Sequence, residues 1–111
     1  MLHQMKLAEG PYNSIKAGTK TIEMRLYDEK RRQVKIGDNI EFTNRETGET
    51  VLAEVLELHI FNSFEEMYKA FSKISIGYKE DEIANPKDMS QFYSDEDIAK
   101  YKVVGIEIKL I

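Results

Sequence analysis

Residues 18–25 read GTKTIEMR, and the alternation inside this stretch decides the fold that the chain is expected to take. Thr21, Glu23 and Arg25 alternate with three apolar residues, which is the two-residue period of a β-strand. Glu23 and Arg25 would stand about 7 Å apart on one wholly polar face, so they can pair or converge on one ligand. Gly18 precedes the strand, at the position where a glycine ends a helix in a left-handed conformation.

The polar face of this strand carries the side chains of a candidate small-ligand site. Lys20 and Arg25 supply cationic donors, and the planar fork of Arg suits a carbonyl, a carboxylate or a phosphate. Glu23 supplies acceptors for an amino group or a ring N–H. Together the three residues suit the edge of a nucleobase or a phosphorylated small molecule. The other interpretation is a solvent-facing strand with a weak ion pair, and periodicity alone leaves both open.

The segments on either side of the strand at 21–26 predict an α+β domain. Further strands are predicted at 3–7, 39–43, 50–61 and 103–111. Helix starts are predicted at Gly10-Pro11, Ser63 and Ser94, with a short helical turn at 88–93. The order β-α-β-β-β-α-(α)-β, mostly antiparallel, indicates a small sheet or barrel flanked by short helices.

The strand predicted at 50–61 changes the parity of its apolar side chains. The apolar set passes from Val51, Ala53 and Val55 to Leu56, Leu58 and Ile60. Such a change predicts a bulge or a corner, as in a small curved barrel.

Composition limits the class of protein. The chain has 111 residues, which fits a single domain over 1–111, and it has no cysteine, which excludes a disulfide framework and a Cys nucleophile. No apolar run approaches the roughly 20 residues of a bilayer span, and the start shows no signal peptide. We therefore expect a cytoplasmic globular protein with no membrane association.

Charge is unevenly distributed along the chain. The net charge is −4, yet residues 14–45 carry eight basic and five acidic side chains, whereas residues 46–100 carry five basic and thirteen acidic ones. A local basic excess suits a single anion. A long polyanion would not be held, so we expect no duplex DNA partner and only weak binding to generic RNA.

The pattern Gly18-x-Lys20-x-x-Glu23-x-Arg25 resembles the GxKxxExR signature of the ASCH domain, a family of the PUA-like superfamily. The preceding helix, the turn at 36–38, the long strand and helix, and a last strand containing VGIEI at 104–108 are similar in order. The resemblance covers essentially the whole chain. It implies a small PUA-like β-barrel flanked by two to three short helices, with a cleft beside the signature strand.

The resemblance also implies a ligand class, because ASCH domains are generally thought to bind RNA or nucleotide-like ligands. It carries ligand-binding roles to Lys20, Glu23 and Arg25, and it makes Tyr93, before the last strand, the best candidate for stacking on a base. The expected partner is RNA, a nucleotide or a modified nucleoside. No cofactor and no metal is implied, and the oligomeric state stays open.

One branch of the family consists of small amidohydrolases that remove the acetyl group from N4-acetylcytidine with a Lys, a Thr and a Glu. Lys20 matches the Lys of that branch, Glu23 occupies its Thr position, and Glu80 is the best match to its loop Glu, with Asp81 and Glu82 as alternatives. The catalytic candidates are thus Lys20 and Glu80 by resemblance, with Glu23 as the rival carboxylate because it lies in the signature strand itself. Because a nearby Glu23 favours the charged form of Lys20, binding ranks above hydrolysis. A non-catalytic scaffold with a vestigial cleft is the third alternative.

The remaining candidate residues are better explained by structural roles than by functional ones. His3 and His59 lack the spacing of metal ligands, and His59 is expected to be a wall residue of its strand. Aromatic residues near the C-terminal strand are more typical of core or rim than of a stacking platform: Tyr78, Phe92 and Tyr101.

Overall fold

The structure is a computed structural model that describes residues 1–111. It contains five strands and three α-helices: β1 Leu2–Leu7, α1 Glu9–Lys16, β2 Ile22–Leu26, β3 Asn39–Asn44, β4 Thr50–Phe61, α2 Phe64–Ala70, α3 Asp95–Tyr101 and β5 Val103–Leu110. Two 3₁₀ turns, Arg31–Gln33 and Pro86–Gln91, lie in the connections. None of the helices is long and apolar enough to cross a bilayer.

All five strands belong to one curled sheet, in the order β1-β3-β4-β5-β2. β1 and β3 run parallel, and every other neighbouring pair is antiparallel. The two edge strands, β1 and β2, approach each other. Arg25 on β2 donates through Nη2 to the carbonyl oxygen of Lys6 on β1 over 3.3 Å. The predicted α+β, mostly antiparallel barrel-like domain is confirmed as a half-barrel flanked by short helices.

The parity change in β4 is a register shift against β5 between Val55 and Glu57. Val55 pairs with Ile108 and Leu58 pairs with Ile106, so residues on either side of the bulge reach the same core. The expectation that Leu56 and Ile60 join this apolar face is wrong, since they are 39% and 48% exposed. The physical reason is that the cover is divided between two faces: beyond the bulge only Leu58 reaches this core, while Phe71 packs edge-on against His59 and Phe61 on the other side of β4.

β5 is buried on both faces and separates two apolar clusters. Val104, Ile106 and Ile108 enter the larger cluster inside the curl, whereas Val103 enters the smaller cluster under α2. Gly105 lies between them, and a Cβ at this position would stand 3.0 Å from Ile22 Cγ2. The close approach of β2 to β5 therefore depends on a residue without a side chain.

Ser63 begins α2, as the capping pattern predicts. Its Oγ accepts a hydrogen bond from the backbone N–H of Glu66 over 3.3 Å, which satisfies a donor of the first turn. Phe64 and Met67 are buried on the face turned toward β5. This helix forms one side of the structure that surrounds the site described next.

Candidate ligand-binding cleft

The turn between α1 and β2 positions the first residue of the site. Gly18 takes a φ of +84°, the left-handed conformation expected of a helix-ending glycine. The backbone N–H groups of Thr21 and Ile22 both donate to the carbonyl oxygen of Ser75 over 3.0 Å. These bonds join the start of β2 to the loop at 72–77, and Lys20 lies where the two segments meet.

Lys20, Glu23 and Arg25 form one buried ionic network. Lys20 Nζ lies 2.9 Å from Glu23 Oε1, and Arg25 Nε donates to Glu23 Oε2 over 2.7 Å. Their side chains are 7%, 3% and 16% exposed, in the order Lys20, Glu23, Arg25. The interpretation of this face as solvent-facing is therefore wrong.

The protonation state of Glu23 follows from its two partners. Burial by itself raises the pKa of the Glu23 carboxyl group, but the charges and hydrogen bonds of Lys20 and Arg25 outweigh it and bring the pKa below its usual value. Glu23 is consequently an anion held between two cations. The network as a whole carries one net positive charge.

A cleft of about 430 Å³ opens beside this network. That volume is within the range of small-ligand pockets, about 300–1,000 Å³. The four ligand-binding candidates from the sequence all line it: Lys20, Glu23, Arg25 and Tyr93. Glu80 does not line the cleft; its carbonyl oxygen accepts a hydrogen bond from Lys73 Nζ over 2.6 Å. Of the three loop carboxylates at 80–82, only Glu82 lines it.

Gly77 makes room for the Lys20 side chain. Its φ of +111° is a conformation that residues with a side chain rarely adopt, and a Cβ here would lie 3.2 Å from Lys20 Cδ. The loop backbone thus covers the aliphatic part of Lys20 and leaves its ammonium group at Glu23.

The wall opposite β2 contains a hydroxyl network. Tyr78 donates to Asp88 Oδ2 over 2.6 Å, and its oxygen lies 3.0 Å from the hydroxyl oxygen of Tyr68. Burial raises the pKa of Tyr78, and the hydrogen bonds to Asp88 and Tyr68 raise it further. Tyr78 is therefore a neutral donor that fixes the position of Asp88 in the cleft.

The rim of the cleft is aromatic. Tyr93 stacks on Phe64 with ring centroids 6.0 Å apart and an interplanar angle of 16°. Phe92 also lines the cleft and is 68% exposed. Tyr101 packs against the smaller apolar cluster and does not line the cleft.

Several residues that line the cleft could not be singled out from the sequence, among them Lys6, Arg45, Tyr68 and Gly77. No local pattern marks them, because the pairing of β1 with β3 and the path of the 72–78 loop bring them to the site. The positive charge of Lys6 and the glycine at 77 are visible in the sequence, but nothing there relates them to Lys20.

The two histidines lie outside the cleft. His3 Nε2 is 2.8 Å from Asp38, and His59 Nε2 is 2.9 Å from Glu107, so each has a carboxylate partner. Nowhere in the structure do three or more His, Cys, Asp or Glu side chains come together in a way that could hold a metal ion.

The curled half-barrel with a polar cleft beside β2 defines a PUA-like domain. The ASCH domain family model matches residues 5–111, and the chain belongs to this family. The resemblance read from the GxKxxExR pattern is thereby confirmed. No curated protein matches the chain significantly.

Solved structures agree with this assignment. The hypothetical protein PH0355, known from a crystal structure, is 38% identical with a TM-score of 0.84, and each chain is covered completely. The protein PF0455 from Pyrococcus furiosus, solved by NMR, is 36% identical with a TM-score of 0.73, over 100% of this chain and 98% of that one. The ASCH domain from Lactobacillus crispatus shares the fold at 12% identity, with a TM-score of 0.66 over 98% of this chain and 79% of that one.

Proposed function

We propose that the cleft binds a nucleoside or nucleotide, either free or at an exposed RNA end, through Lys20, Glu23 and Arg25. The observation that carries this proposal is the buried Lys20–Glu23–Arg25 network at the side of a cleft of about 430 Å³. Buried ions are costly unless they have partners of opposite charge, and a buried ionic cluster beside a cleft of ligand size supports a recognition site.

The network retains hydrogen-bonding capacity for a ligand. An ammonium group has three donors and a guanidinium group has five, while each carboxylate oxygen accepts more than one bond. Lys20 and Arg25 use one donor each on Glu23, and Arg25 uses another on Lys6. Adjacent donors and acceptors remain, which is the pattern that the edge of a nucleobase requires.

Aromatic groups at the rim support the same ligand class. Phe92 is a large apolar side chain that is 68% exposed at the cleft, and Tyr93 beside it is held by Phe64. Stacking of a base on such a ring contributes about 1–3 kcal/mol. A base stacked on Phe92 or Tyr93 would occupy the cleft that the polar network lines.

The length of the bound segment is limited by charge and size. The chain carries a net charge of −4, so a long polyanion meets repulsion away from the cleft. We therefore propose a single nucleoside or nucleotide unit as the recognised group, with no role for duplex nucleic acid.

Isothermal titration calorimetry with the four ribonucleosides tests the proposal. We expect saturable one-to-one binding of at least one nucleoside, weakened about tenfold or more in Arg25→Lys because Lys lacks the planar fork. Arg32→Lys is the matched control, since Arg32 donates to the carbonyl oxygens of Tyr27 and Tyr101 away from the cleft. Absence of binding to nucleosides and to their 5′-monophosphates would support the vestigial scaffold instead.

Hydrolysis of N4-acetylcytidine is the second candidate function. The favouring observation is that the Lys20 amine and the Glu82 carboxylate line the same cleft. The lowered pKa of Glu23 opposes it, because a general base works best with a pKa near the operating pH. Glu80, the proton carrier implied by resemblance, would have to move into the cleft, whereas Glu82 already lines it.

Incubation with N4-acetylcytidine and measurement of released cytidine test this candidate. Release that disappears in Lys20→Ala supports hydrolysis with Lys20 as the reacting amine. Absence of release at high protein concentration supports binding alone.

A further inference from the structure

The cleft is chemically different at its two ends. Lys6 and Arg45 line it on the side of β1 and β3, whereas Glu82 and Asp88 line it on the side of the 78–93 segment. Asp88 is engaged by Tyr78, and Glu82 accepts from the backbone N–H of Lys79 over 2.7 Å. The acidic end is thus partly satisfied within the protein.

The basic end has no internal partner. None of the ion pairs in the structure includes Lys6 or Arg45, and neither side chain donates a hydrogen bond within the protein. Unpaired cations beside a recognition cleft are available to an anionic ligand.

Strand pairing brings these two cations together with Arg25. β1 and β3 run parallel in register, Leu7 opposite Asn44, and the backbone N–H of Arg45 donates to the carbonyl oxygen of Leu7 over 2.9 Å. Arg25 Nη2 reaches the carbonyl oxygen of Lys6, the neighbour of Leu7. Lys6 on β1, Arg25 on β2 and Arg45, which directly follows β3, therefore line the same cleft.

The cleft lining as a whole carries more basic than acidic residues. Within the lining, four basic residues face three acidic ones, although the chain as a whole carries −4. Arg31 does not line the cleft, but it lies near Arg25: burial and then the charge of Arg25 lower the pKa of Arg31. An anion bound beside Arg25 would offset part of this positive charge.

We infer that Lys6 and Arg45 recognise the phosphate of a 5′-phosphorylated nucleoside whose base lies at the Glu23–Arg25 network. This inference rests on the proposed nucleoside site and adds the class of ligand. A terminal phosphate carries close to two negative charges at neutral pH, so a cleft lined by more than one unpaired cation suits it better than the single charge of an internal diester. The phosphate belongs either to a free mononucleotide or to the 5′ end of an RNA.

Calorimetry with each ribonucleoside and its 5′-monophosphate tests the inference. We expect the monophosphate to bind about tenfold or more tightly, the effect of one charge-assisted hydrogen bond. The double variant Lys6→Gln with Arg45→Gln should abolish this difference and leave nucleoside binding within about twofold. The double variant Lys30→Gln with Lys35→Gln makes the same change in net charge outside the cleft and should keep the difference.

Each outcome has one meaning. Equal affinity for nucleoside and monophosphate, or a difference that survives in the double cleft variant, overturns phosphate recognition and leaves the nucleoside site intact. Absence of binding for both ligands overturns the inference together with the proposed function. A 5′-phosphorylated trinucleotide that binds as tightly as the mononucleotide supports the inference with an RNA end as the source. Loss of binding for the trinucleotide supports it with a free nucleotide.

Discussion

Glu23 and Arg25 stand two residues apart on β2, and the guanidinium Nε of Arg25 donates to the Glu23 carboxylate over 2.7 Å where that carboxylate is 3% exposed. Residues two apart on a strand share a face, so strand geometry alone places these two side chains side by side. Burial determines how much this ion pair contributes to stability. On an open strand the same pair would contribute almost nothing, whereas here each charge depends on the other.

Replacing Glu23 with Gln should destabilise the domain strongly. The substitution leaves the ammonium of Lys20 and the guanidinium of Arg25 buried without a counter-charge, a change that typically costs about 3–5 kcal/mol. Chemical denaturation measures the free energy of unfolding. Glu49→Gln, which breaks the exposed pair with Lys16, is the control and should behave like the unsubstituted protein.

A double substitution guards against a variant that does not fold. Glu23→Gln combined with Arg25→Gln removes charges of both signs, so its cost should be smaller than the sum of the two single costs. If the free-energy costs of the two single substitutions were simply additive, the energetic coupling between Glu23 and Arg25 would be contradicted.

Replacing Gly77 with Ala should weaken ligand binding as well as stability. A methyl group there would press on Lys20 Cδ from 3.2 Å and displace the ammonium group from Glu23. Gly48→Ala is a matched control, because Gly48 also has a positive φ, +77°, but a Cβ there meets nothing within 4 Å. Both variants should lose about 1 kcal/mol or more of unfolding free energy through backbone strain. Only Gly77→Ala should lose ligand affinity, and equal affinities would show that Lys20 does not depend on Gly77.

Acid should remove a contribution that Asp38 makes to stability. Hydrogen bonds from His3 and from the backbone N–H of Lys35 lower the pKa of Asp38 from 3.8 to about 2. The folded state therefore favours the carboxylate, and this contribution is complete above pH 3.8 and lost as the pH falls through about 2. The difference in unfolding free energy between the unsubstituted protein and Asp38→Asn should shrink over that window. A constant difference would contradict the assignment.

Alkali should remove a contribution that Tyr78 makes to stability, just as acid removes that of Asp38. Burial and the hydrogen bonds with Asp88 and Tyr68 raise its pKa, so the folded protein keeps a proton that the unfolded chain releases. This contribution to stability is present below the ordinary tyrosine pKa of about 10 and is lost as the pH rises above it. The ring ¹³Cζ resonance of Tyr78, assigned by comparison with Tyr78→Phe, should titrate later than that of free tyrosine. Titration at the ordinary value would exclude the buried hydroxyl network.

Much of the fold could be predicted because its signals are local. The alternation at 21–26, the Ser63–Glu66 cap and the parity change at Val55 each depend on a few neighbouring residues, and each corresponds to an element of the structure. The exposure of Leu56 and Ile60 could not be predicted in this way. Alternation identifies two faces, but which face is covered depends on where Phe71 packs.

The residues of the candidate site also divide into those placed by local sequence and those placed by tertiary structure. Lys20, Glu23 and Arg25 are close in sequence, so one strand and its turn suffice to place them together. Lys6 and Arg45 reach the cleft only through the parallel pairing of β1 and β3. This pairing involves no hairpin, so no turn sequence predicts it. The loop carboxylate is ambiguous in sequence because three acidic residues are adjacent, and only the path of the loop separates Glu82 from Glu80.

An NMR titration of the ¹⁵N-labelled protein with nucleosides and their 5′-monophosphates tests the central claim most directly. The account predicts saturable amide shifts that cluster at residues 20–25, 76–78 and 88–93, the segments that surround the Lys20–Glu23–Arg25 network. Absence of shifts at millimolar ligand, or shifts confined to the outer face of β4 around Leu52 and Leu56, would contradict it.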